Sequence, residues 1–152
     1  MDKIKIEQLF SIAITREIES YEFYQEVSNC VENSSVKQVF QQLANEEMQH
    51  KETLEKLKMN PELIMKFKTP QNDYKIAEAT QTPDLDINMK PADAIALAMK
   101  REQDSVEFYR SLAEMADDAE IKKIFENLVN MELSHKTKLE SVFIDVGYPE
   151  AF

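Results

Sequence analysis

The sequence repeats itself at a constant distance. Residues 13–24 read AITREIESYEFY and residues 98–109 read AMKREQDSVEFY, with seven of twelve positions identical at an offset of 85. Residues 39–51 align with residues 124–136 at the same offset and without a gap. A repeat of this kind indicates one structural unit that is used twice. Because each unit contains two repeated segments, the sequence predicts two similar helical hairpins joined in one chain.

Composition and spacing both favour helix in these segments. The 152 residues include 1 Gly and 5 Pro, the residue types that interrupt helices most. Apolar residues between positions 6 and 29 recur at intervals of three, four or seven, as on one side of an α-helix. A capping box from Ser35 to Gln38 is expected to start the second helix, and Asp117 or Asp118 to cap the fourth. Four helices are predicted, over about 6–29, 35–59, 91–116 and 118–146.

The segment between the two halves has a different composition. Residues 60–90 contain Pro61, Pro70 and Pro83, together with many Thr, Asn, Gln and Asp residues. At about 3.3 Å per extended residue, a segment of this size can cross the length of a helix bundle. We therefore expect an all-α four-helix bundle in which a long crossover leaves helices 2 and 3 parallel. Its apolar residues are expected to pack on the bundle or on a second subunit: Ile64, Phe67, Tyr74, Ile76, Leu85 and Ile87.

Charge and cysteine content exclude several classes of protein. The formal net charge of −11, from 29 acidic and 18 basic residues, disfavours binding to nucleic acid or to an anionic membrane surface. No stretch reaches the roughly 18 apolar residues that a membrane span needs. The one cysteine, Cys30, excludes an internal disulfide and a four-thiolate metal site. We expect one domain over residues 1–152, located in the cytoplasm.

The two histidines of the sequence occupy equivalent places in the repeat. Each lies three residues after a glutamate, in Glu47-x-x-His50 and Glu132-x-x-His135. Residues at i and i+3 share one side of a helix, so each pair can reach a common point. Both pairs also interrupt an apolar stripe, so we expect their polar groups to be buried and to need partners. The stripes consist of Phe40, Leu43 and Leu54 in the second helix and Phe125, Leu128 and Leu139 in the fourth.

Two further glutamates are predicted at the same height in the bundle. Glu17 precedes the turn of the first hairpin by about as many residues as Glu47 follows it, and Glu102 and Glu132 flank the second turn in the same way. Four carboxylates and two imidazoles can therefore meet at one level, which is the arrangement of di-metal carboxylate bundles. The predicted metal ligands are Glu17, Glu47, His50, Glu102, Glu132 and His135.

Charge balance explains why such a cluster needs metal. Carboxylates inside a bundle repel one another and lose their hydration, so ionisation without a counter-charge is costly. Two divalent cations would offset the four negative charges. Carboxylate and imidazole ligands without thiolate suit iron or manganese, and zinc would bind too. We predict two iron ions per chain, with Glu47 and Glu132 as bridging ligands because each lies on a helix that also supplies a histidine.

Other polar residues near the predicted ligands have two interpretations. Tyr24 and Tyr109 lie seven residues, or two helical turns, beyond Glu17 and Glu102. Their hydroxyls either support a ligand carboxylate through a hydrogen bond or belong to core residues whose hydroxyls are satisfied elsewhere. A solvated surface is predicted for the acids Glu19, Glu22, Glu46, Asp104 and Glu107.

Taken together, the motifs resemble the ferritin-like domain of the rubrerythrins over about residues 6–145. The resemblance implies a ferritin-like fold and a non-haem di-iron centre that reduces hydrogen peroxide. It also implies a homodimer that pairs through the crossover region, and electrons that arrive through a rubredoxin domain. The motifs that carry the resemblance are Glu17 with Phe23-Tyr24, Glu47-x-x-His50, Glu102 with Phe108-Tyr109, and Glu132-x-x-His135.

Two departures from the rubrerythrin pattern leave the activity open. One cysteine cannot form a rubredoxin iron centre, so electrons would come from a separate donor protein. Ser105 stands where rubrerythrins carry an extra carboxylate ligand, and Ser20 is its counterpart in the first half. The favoured interpretation is an oxidoreductase that reduces hydrogen peroxide or dioxygen. The alternatives are an iron-binding ferroxidase or iron-storage protein, and a structural or sensory bundle that its metal holds together.

Overall fold

Four long helices account for nearly all of the part of the chain that the structure describes. The structure is a computed structural model, and it describes residues 2–59 and 89–147 apart from the side chains of residues 146 and 147. α1 packs closely on α2, and α3 packs closely on α4. The predicted bundle of two helical hairpins is therefore confirmed, with every helix end within three residues of its expected position. The helices are α1 (Lys3–Cys30), α2 (Ser34–Met59), α3 (Pro91–Met115) and α4 (Ala119–Gly147).

The start of α2 differs from the prediction. Ser35 was expected to cap this helix, but it already lies in the first helical turn. The cap is Asn33, whose side-chain Oδ1 accepts a hydrogen bond from the backbone N–H of Val36 at 3.0 Å. Asn and Ser are both good capping residues, and Asn33 takes this role two residues earlier in the chain than expected.

The starts of α3 and α4 agree with the prediction. Pro91 is the first residue of α3, where its missing N–H leaves no intrahelical hydrogen bond unmade. The carboxylate of Asp118 caps α4 by accepting hydrogen bonds from the backbone N–H groups of Glu120 at 2.8 Å and Ile121 at 3.2 Å. Of the two candidate capping residues, Asp118 is therefore the one that caps the helix.

Contacts between the helix ends fix the direction of each helix. The backbone N–H of Met89, just before α3, donates to the carbonyl of Cys30 at the end of α1, at 3.0 Å. At the other end of the bundle, Nζ of Lys5 lies 3.2 Å from Oδ2 of Asp117. α1 and α3 are therefore antiparallel, and α2 and α3 run in the same direction as predicted. Residues 60–88 of the crossover, including its six named apolar residues, lie outside the described residues.

Apolar side chains form two clusters, one toward each end of the bundle. One cluster centres on Phe10 and Phe125, whose ring centroids are 5.5 Å apart. The other contains Tyr24 stacked on Phe40, with centroids 6.2 Å apart. The predicted ligands lie between these clusters, so the level of the bundle that carries them is enclosed by apolar residues at both ends. None of the helices in the described residues combines the length and the apolar content that crossing a lipid bilayer requires.

Candidate metal centre

The fold brings all six predicted ligand side chains to one buried level of the bundle. α1 and α3 each contribute one glutamate, while α2 and α4 each contribute a glutamate and a histidine. The four glutamates are each 1% exposed, which is exceptional for carboxylates. His50 and His135 are 9% and 6% exposed, so the imidazoles lie nearest to solvent.

The helix faces that carry these residues are those expected from the sequence. Phe40, Leu43 and Leu54 are fully buried on α2, on the same side as Glu47 and His50. The corresponding side of α4 is buried in the same way, with Phe125, Leu128 and Leu139 around its Glu and His. The apolar stripes therefore point the two Glu-x-x-His pairs into the bundle.

The six side chains form two overlapping groups of possible metal ligands. Ligand atoms of Glu17, Glu47, His50 and Glu132 lie within 4.8 Å of one another, and so do those of Glu47, Glu102, Glu132 and His135. Glu47 and Glu132 belong to both groups. This is the geometry that two neighbouring ions with two shared carboxylates would need.

Both imidazoles present the same ring nitrogen to the carboxylates. Nδ1 of His135 lies 3.0 Å from Oε1 of Glu47 and 3.4 Å from Oε1 of Glu102. Nδ1 of His50 lies 3.6 Å from Oε2 of Glu17 and 3.6 Å from Oε1 of Glu47. The two rings are nearly parallel, with centroids 5.3 Å apart and an interplanar angle of 10°. Nδ1 is therefore the coordinating atom that each histidine offers.

Buried oxygen atoms in this cluster need a positive partner. Among the described residues, buried oxygens on all four carboxyls lack a hydrogen bond of good geometry: Oε2 of Glu17, Oε1 of Glu47, Oε2 of Glu102 and both oxygens of Glu132. A bound proton, a water molecule or a cation could satisfy such atoms, and a cation would also offset the negative charge. Four carboxylates and two imidazoles suit a pair of divalent first-row transition metals, so the residues present fit the predicted ions.

In the metal-free protein, the two shared carboxyls hold protons more strongly than ordinary glutamates do. Burial raises the pKa of Glu47 well above its ordinary value, and the negative charge of Glu17 raises it further. Burial likewise raises the pKa of Glu132, with the charges of Glu102 and Glu47 adding to the shift. The acids that belong to both ligand groups are thus the ones with raised pKa values when no metal is bound.

The two outer carboxyls are ionised instead. Burial alone would raise the pKa of Glu102, but the hydrogen bond from Glu132 and the positive charge of His135 outweigh it and lower the pKa to about 2. Burial also opposes ionisation of Glu17, and hydrogen bonds from His50, Glu47 and Tyr109 outweigh it, so this pKa is lowered too. The pKa of His135 lies well above its ordinary value, because the charge of Glu102 and hydrogen bonds to three glutamates overcome the effect of burial.

Two buried tyrosines hold the outer carboxylates across the bundle. The hydroxyl of Tyr24 on α1 donates to Oε1 of Glu102 on α3. The hydroxyl of Tyr109 on α3 donates to Oε1 of Glu17 on α1, at 2.7 Å. Burial, together with the charge of the carboxylate each one contacts, raises the pKa of both phenols, so both remain protonated donors. Each tyrosine therefore supports the predicted ligand of the other hairpin, not the one on its own helix.

Two arginines connect the hairpins one turn away, and the sequence interpretation did not assign them to the site. Arg16 donates to the hydroxyl of the buried Ser105 and lies 5.6 Å from the ring centroid of Phe108. Arg101 donates to Ser20 at 3.4 Å and lies 5.5 Å from the ring centroid of Phe23. The sequence does contain a signal for these arginines, because both are among the identical positions of the repeat.

One acid predicted to be solvated belongs to the site. Oε2 of Glu46 lies 2.8 Å from Nε2 of His135, and the Glu46 side chain is only 32% exposed. The prediction for Glu46 was therefore wrong, because an acid next to a ligand on α2 can reach the outer edge of an imidazole on α4. Glu19, Glu22, Asp104 and Glu107 are exposed as expected.

A cavity of about 420 Å³ adjoins the two imidazoles. It lies on the α2 and α4 side of the bundle, where the cluster comes closest to solvent. Water and other small molecules can reach the histidines by this route. Its lining residues are Glu46, Gln49, His50, Thr53, Met131, Ser134 and His135.

Known proteins resemble this chain in sequence and in fold. The Rubrerythrin family profile matches residues 8–143, a range that contains every predicted ligand. A solved structure of a hypothetical protein from Pyrococcus furiosus is similar, with a TM-score of 0.64 and 28% sequence identity over 97% of this chain and 93% of that chain. A search of curated proteins found no significant match. The family match covers both hairpins, and the chain therefore belongs to the rubrerythrin family.

Proposed function

We propose that the protein is a non-haem di-iron oxidoreductase that reduces hydrogen peroxide or dioxygen with electrons from a separate donor protein. The observation that carries this proposal is the pair of overlapping ligand groups with Glu47 and Glu132 in common. Membership of the rubrerythrin family supports iron as the metal. Manganese and zinc suit the same ligands and are the metals to be distinguished from it.

The protein side chains have defined tasks in such a reaction. The four carboxylates and the Nδ1 atoms of His50 and His135 would hold two ions side by side. Tyr24 and Tyr109 would keep the outer carboxylates in place through their hydrogen bonds. When bound, iron would supply the electron chemistry by changing between its ferrous and ferric states. The reduction of one peroxide consumes two electrons and two protons and gives two molecules of water.

The cavity beside the imidazoles supports a small oxidant as substrate. It reaches the cluster from the histidine side, whereas the carboxylate side is enclosed by α1 and α3. Glu46 and His135 stand at this entrance and can exchange protons with solvent water. These groups would provide a path for the protons that the reduction of peroxide or dioxygen requires.

A ferroxidase or iron-storage function is the second candidate, and one observation favours it. Ser20 and Ser105 are buried and accept hydrogen bonds from Arg101 and Arg16, so neither position supplies a further carboxylate to the centre. A fixed set of six ligands is what an iron-oxidising site with dioxygen as oxidant would use. A structural role, in which the metal only stabilises the bundle, is the third candidate.

Three measurements on the purified protein separate these candidates. Elemental analysis of protein prepared without added metal identifies the native ion, and zinc alone would favour the structural role. Repeated turnover with peroxide and a reducing protein or dye would support the oxidoreductase. Retention of many iron atoms per chain after aerobic loading, without repeated reduction, would favour storage and contradict the leading proposal.

A further inference from the structure

Glu46 breaks the two-fold repetition of the metal centre. The repeat aligns Asn45 with Asn130 and Glu47 with Glu132, and these pairs are identical. Between them, Glu46 aligns with Met131. The first half therefore carries a carboxylate at a position where the second half carries a thioether.

This carboxylate is held in place on both of its oxygens. Oε2 lies 2.8 Å from Nε2 of His135, and Oε1 accepts a hydrogen bond from the amide of Gln42 at 3.4 Å. The two contacts come from different helices, since Gln42 lies one turn earlier on α2 and His135 lies on α4. Glu46 is therefore oriented toward the imidazole and is not a freely rotating surface acid.

The contact determines which nitrogen of His135 is available to a metal. A carboxylate that accepts the N–H of Nε2 leaves the lone pair of Nδ1 free to coordinate. Nδ1 is the atom that faces Glu47 and Glu102, at 3.0 and 3.4 Å. An acceptor on the outer nitrogen also fixes the ring orientation and makes the coordinating nitrogen a stronger donor.

The second half contains a side-chain donor at the position that corresponds to the partner of Glu46. Gln42, which donates to Glu46, aligns with Asn127 in the repeat. The side-chain nitrogen of Asn127 is buried and has no hydrogen-bond partner among the residues that the structure describes. Met131 has no side-chain oxygen that could accept a hydrogen bond from Asn127. The second half therefore has the donor that corresponds to Gln42 but lacks the acceptor that corresponds to Glu46.

We propose that Glu46 makes the two metal positions unequal, so that the position formed by Glu47, Glu102, Glu132 and His135 binds its ion more tightly and fills first. The inference rests on the proposed two-metal centre and assigns to Glu46 the role of a positioning residue. It acts on the metal through His135 and touches no ion itself.

Metal binding to the anaerobic metal-free protein tests the inference without any measurement of activity. Mn²⁺ is added stepwise while electron paramagnetic resonance distinguishes isolated ions from spin-coupled pairs. Isolated ions should predominate at one equivalent in the natural protein, and pairs should form with the second. Glu46→Met, which gives both halves the same residue, should weaken the first binding step by about tenfold to a hundredfold.

Two single-histidine backgrounds show where Glu46 acts. His50→Ala retains the His135 position, and His135→Ala retains the His50 position. Glu46→Met should lower Mn²⁺ affinity in the His50→Ala protein and leave it unchanged in the His135→Ala protein. Equal losses in both backgrounds would mean that residue 46 supports the bundle in general, and the inference would then be wrong.

Met131→Glu is the matched gain-of-function variant. It supplies the aligned acid and an acceptor for Asn127, so the second binding step should become stronger while the first stays the same. This variant decides the matter if Glu46→Met does not fold. If the natural protein bound two ions in equal steps and Glu46→Met changed neither step, this inference would be wrong but the proposed function would stand. Failure to bind any metal pair would overturn the proposed function as well.

Discussion

The guanidinium of Arg16 donates two hydrogen bonds to the hydroxyl of Ser105, at 3.3 and 3.0 Å. The bonds cross from the first hairpin to the second, one helical turn from the predicted ligand Glu102. Ser105 is 2% exposed, so a larger side chain introduced there would point into the same space. Any acid placed at position 105 would therefore meet the cation of Arg16 before it met a metal ion.

This contact leads to a prediction about the choice of oxidant. Ser105→Glu alone should change the ratio of peroxide to dioxygen oxidation rates little, because Arg16 would pair with the new carboxylate. Arg16→Leu combined with Ser105→Glu should raise the ratio, since the carboxylate could then reach the metal. Stopped-flow oxidation of the reduced protein by each oxidant measures this, with Arg16→Leu alone as the control. A rise in the single Ser105→Glu variant equal to that in the double variant would contradict the prediction.

The shared acids predict unequal effects of ligand removal on metal content. Glu47→Ala or Glu132→Ala should leave fewer than about one ion per chain, because each removes a ligand from both groups. Glu17→Ala or Glu102→Ala should leave about one, since each belongs to a single group. Elemental analysis after dialysis gives the count, and the exposed Glu55→Ala serves as control. Two retained ions in both of the first variants would exclude Glu47 and Glu132 as ligands.

The metal-free protein should lose stability as the pH rises from the ordinary glutamate pKa of 4.5 toward alkaline values. Folded Glu47 and Glu132 keep protons that the unfolded chain releases above its ordinary glutamate pKa of 4.5. The unfolded state then binds fewer protons than the folded state, so the free energy of unfolding falls with pH. His135 acts in the same direction, because its contribution is complete below 6.5 and is lost as the pH passes its raised pKa.

Thermal unfolding across this pH range provides the measurement. The slope can reach about 1.4 kcal/mol per pH unit for each proton kept only by the folded state. Glu17 and Glu102, whose pKa values are lowered, contribute fully above pH 4.5 and do not vary in this window. Metal-loaded protein should lack the decline, since cations replace the protons. A metal-free protein that gained stability toward pH 9 would disprove this assignment of protons.

Removing a single phenol hydroxyl should destabilise the bundle. Tyr24→Phe and Tyr109→Phe each delete a buried hydrogen bond to a carboxylate of the other hairpin. Bonds to charged groups are worth about 1.5–3 kcal/mol, and the free energy of unfolding should fall by that amount. Chemical denaturation checks this, with Tyr21→Phe as the control because its hydroxyl accepts a hydrogen bond from the exposed amide of Gln25 on the same helix. Losses no larger than that of the control would show that these bonds do not hold the hairpins together.

A homodimer remains a prediction from the sequence and the resemblance. Its support is the set of apolar residues in the crossover, including Phe67 and Tyr74, which lie outside the described residues. Light scattering at micromolar concentration should give twice the 17.7 kDa chain mass. Phe67→Ser combined with Tyr74→Ser should shift the equilibrium toward the monomer, and a natural protein that is already monomeric would refute the prediction.

Much of the fold and the ligand set could be predicted because the repeat and the helical period constrain each other. An offset of 85 fixes which glutamates share a height, and the apolar stripes around Leu43 and Leu128 fix which side of each helix is buried. Both signals depend on spacing along one helix. They place Glu47 and Glu132 at the centre without any knowledge of distances between helices.

Contacts between helices were less predictable. Spacing assigns Tyr24 to the same face as Glu17, yet its hydroxyl bonds Glu102 because the interhelical gap decides which carboxylate is nearer. Glu46 looked like a surface residue because it lies one position before a buried ligand, about 100° around the helix. That rotation points it along the α2–α4 boundary toward His135, and only the packing of the two helices shows this.

The covalent connection between the two hairpins gives them a freedom that identical subunits lack. If two separate copies of one hairpin formed the bundle, every substitution would appear in both halves. The same type of residue would then lie beside each imidazole. Here the halves are encoded separately, so a glutamate at position 46 and a methionine at position 131 can coexist within one symmetrical frame. The chain can therefore keep the paired carboxylates alike while the surroundings of its two predicted ligand groups diverge from each other.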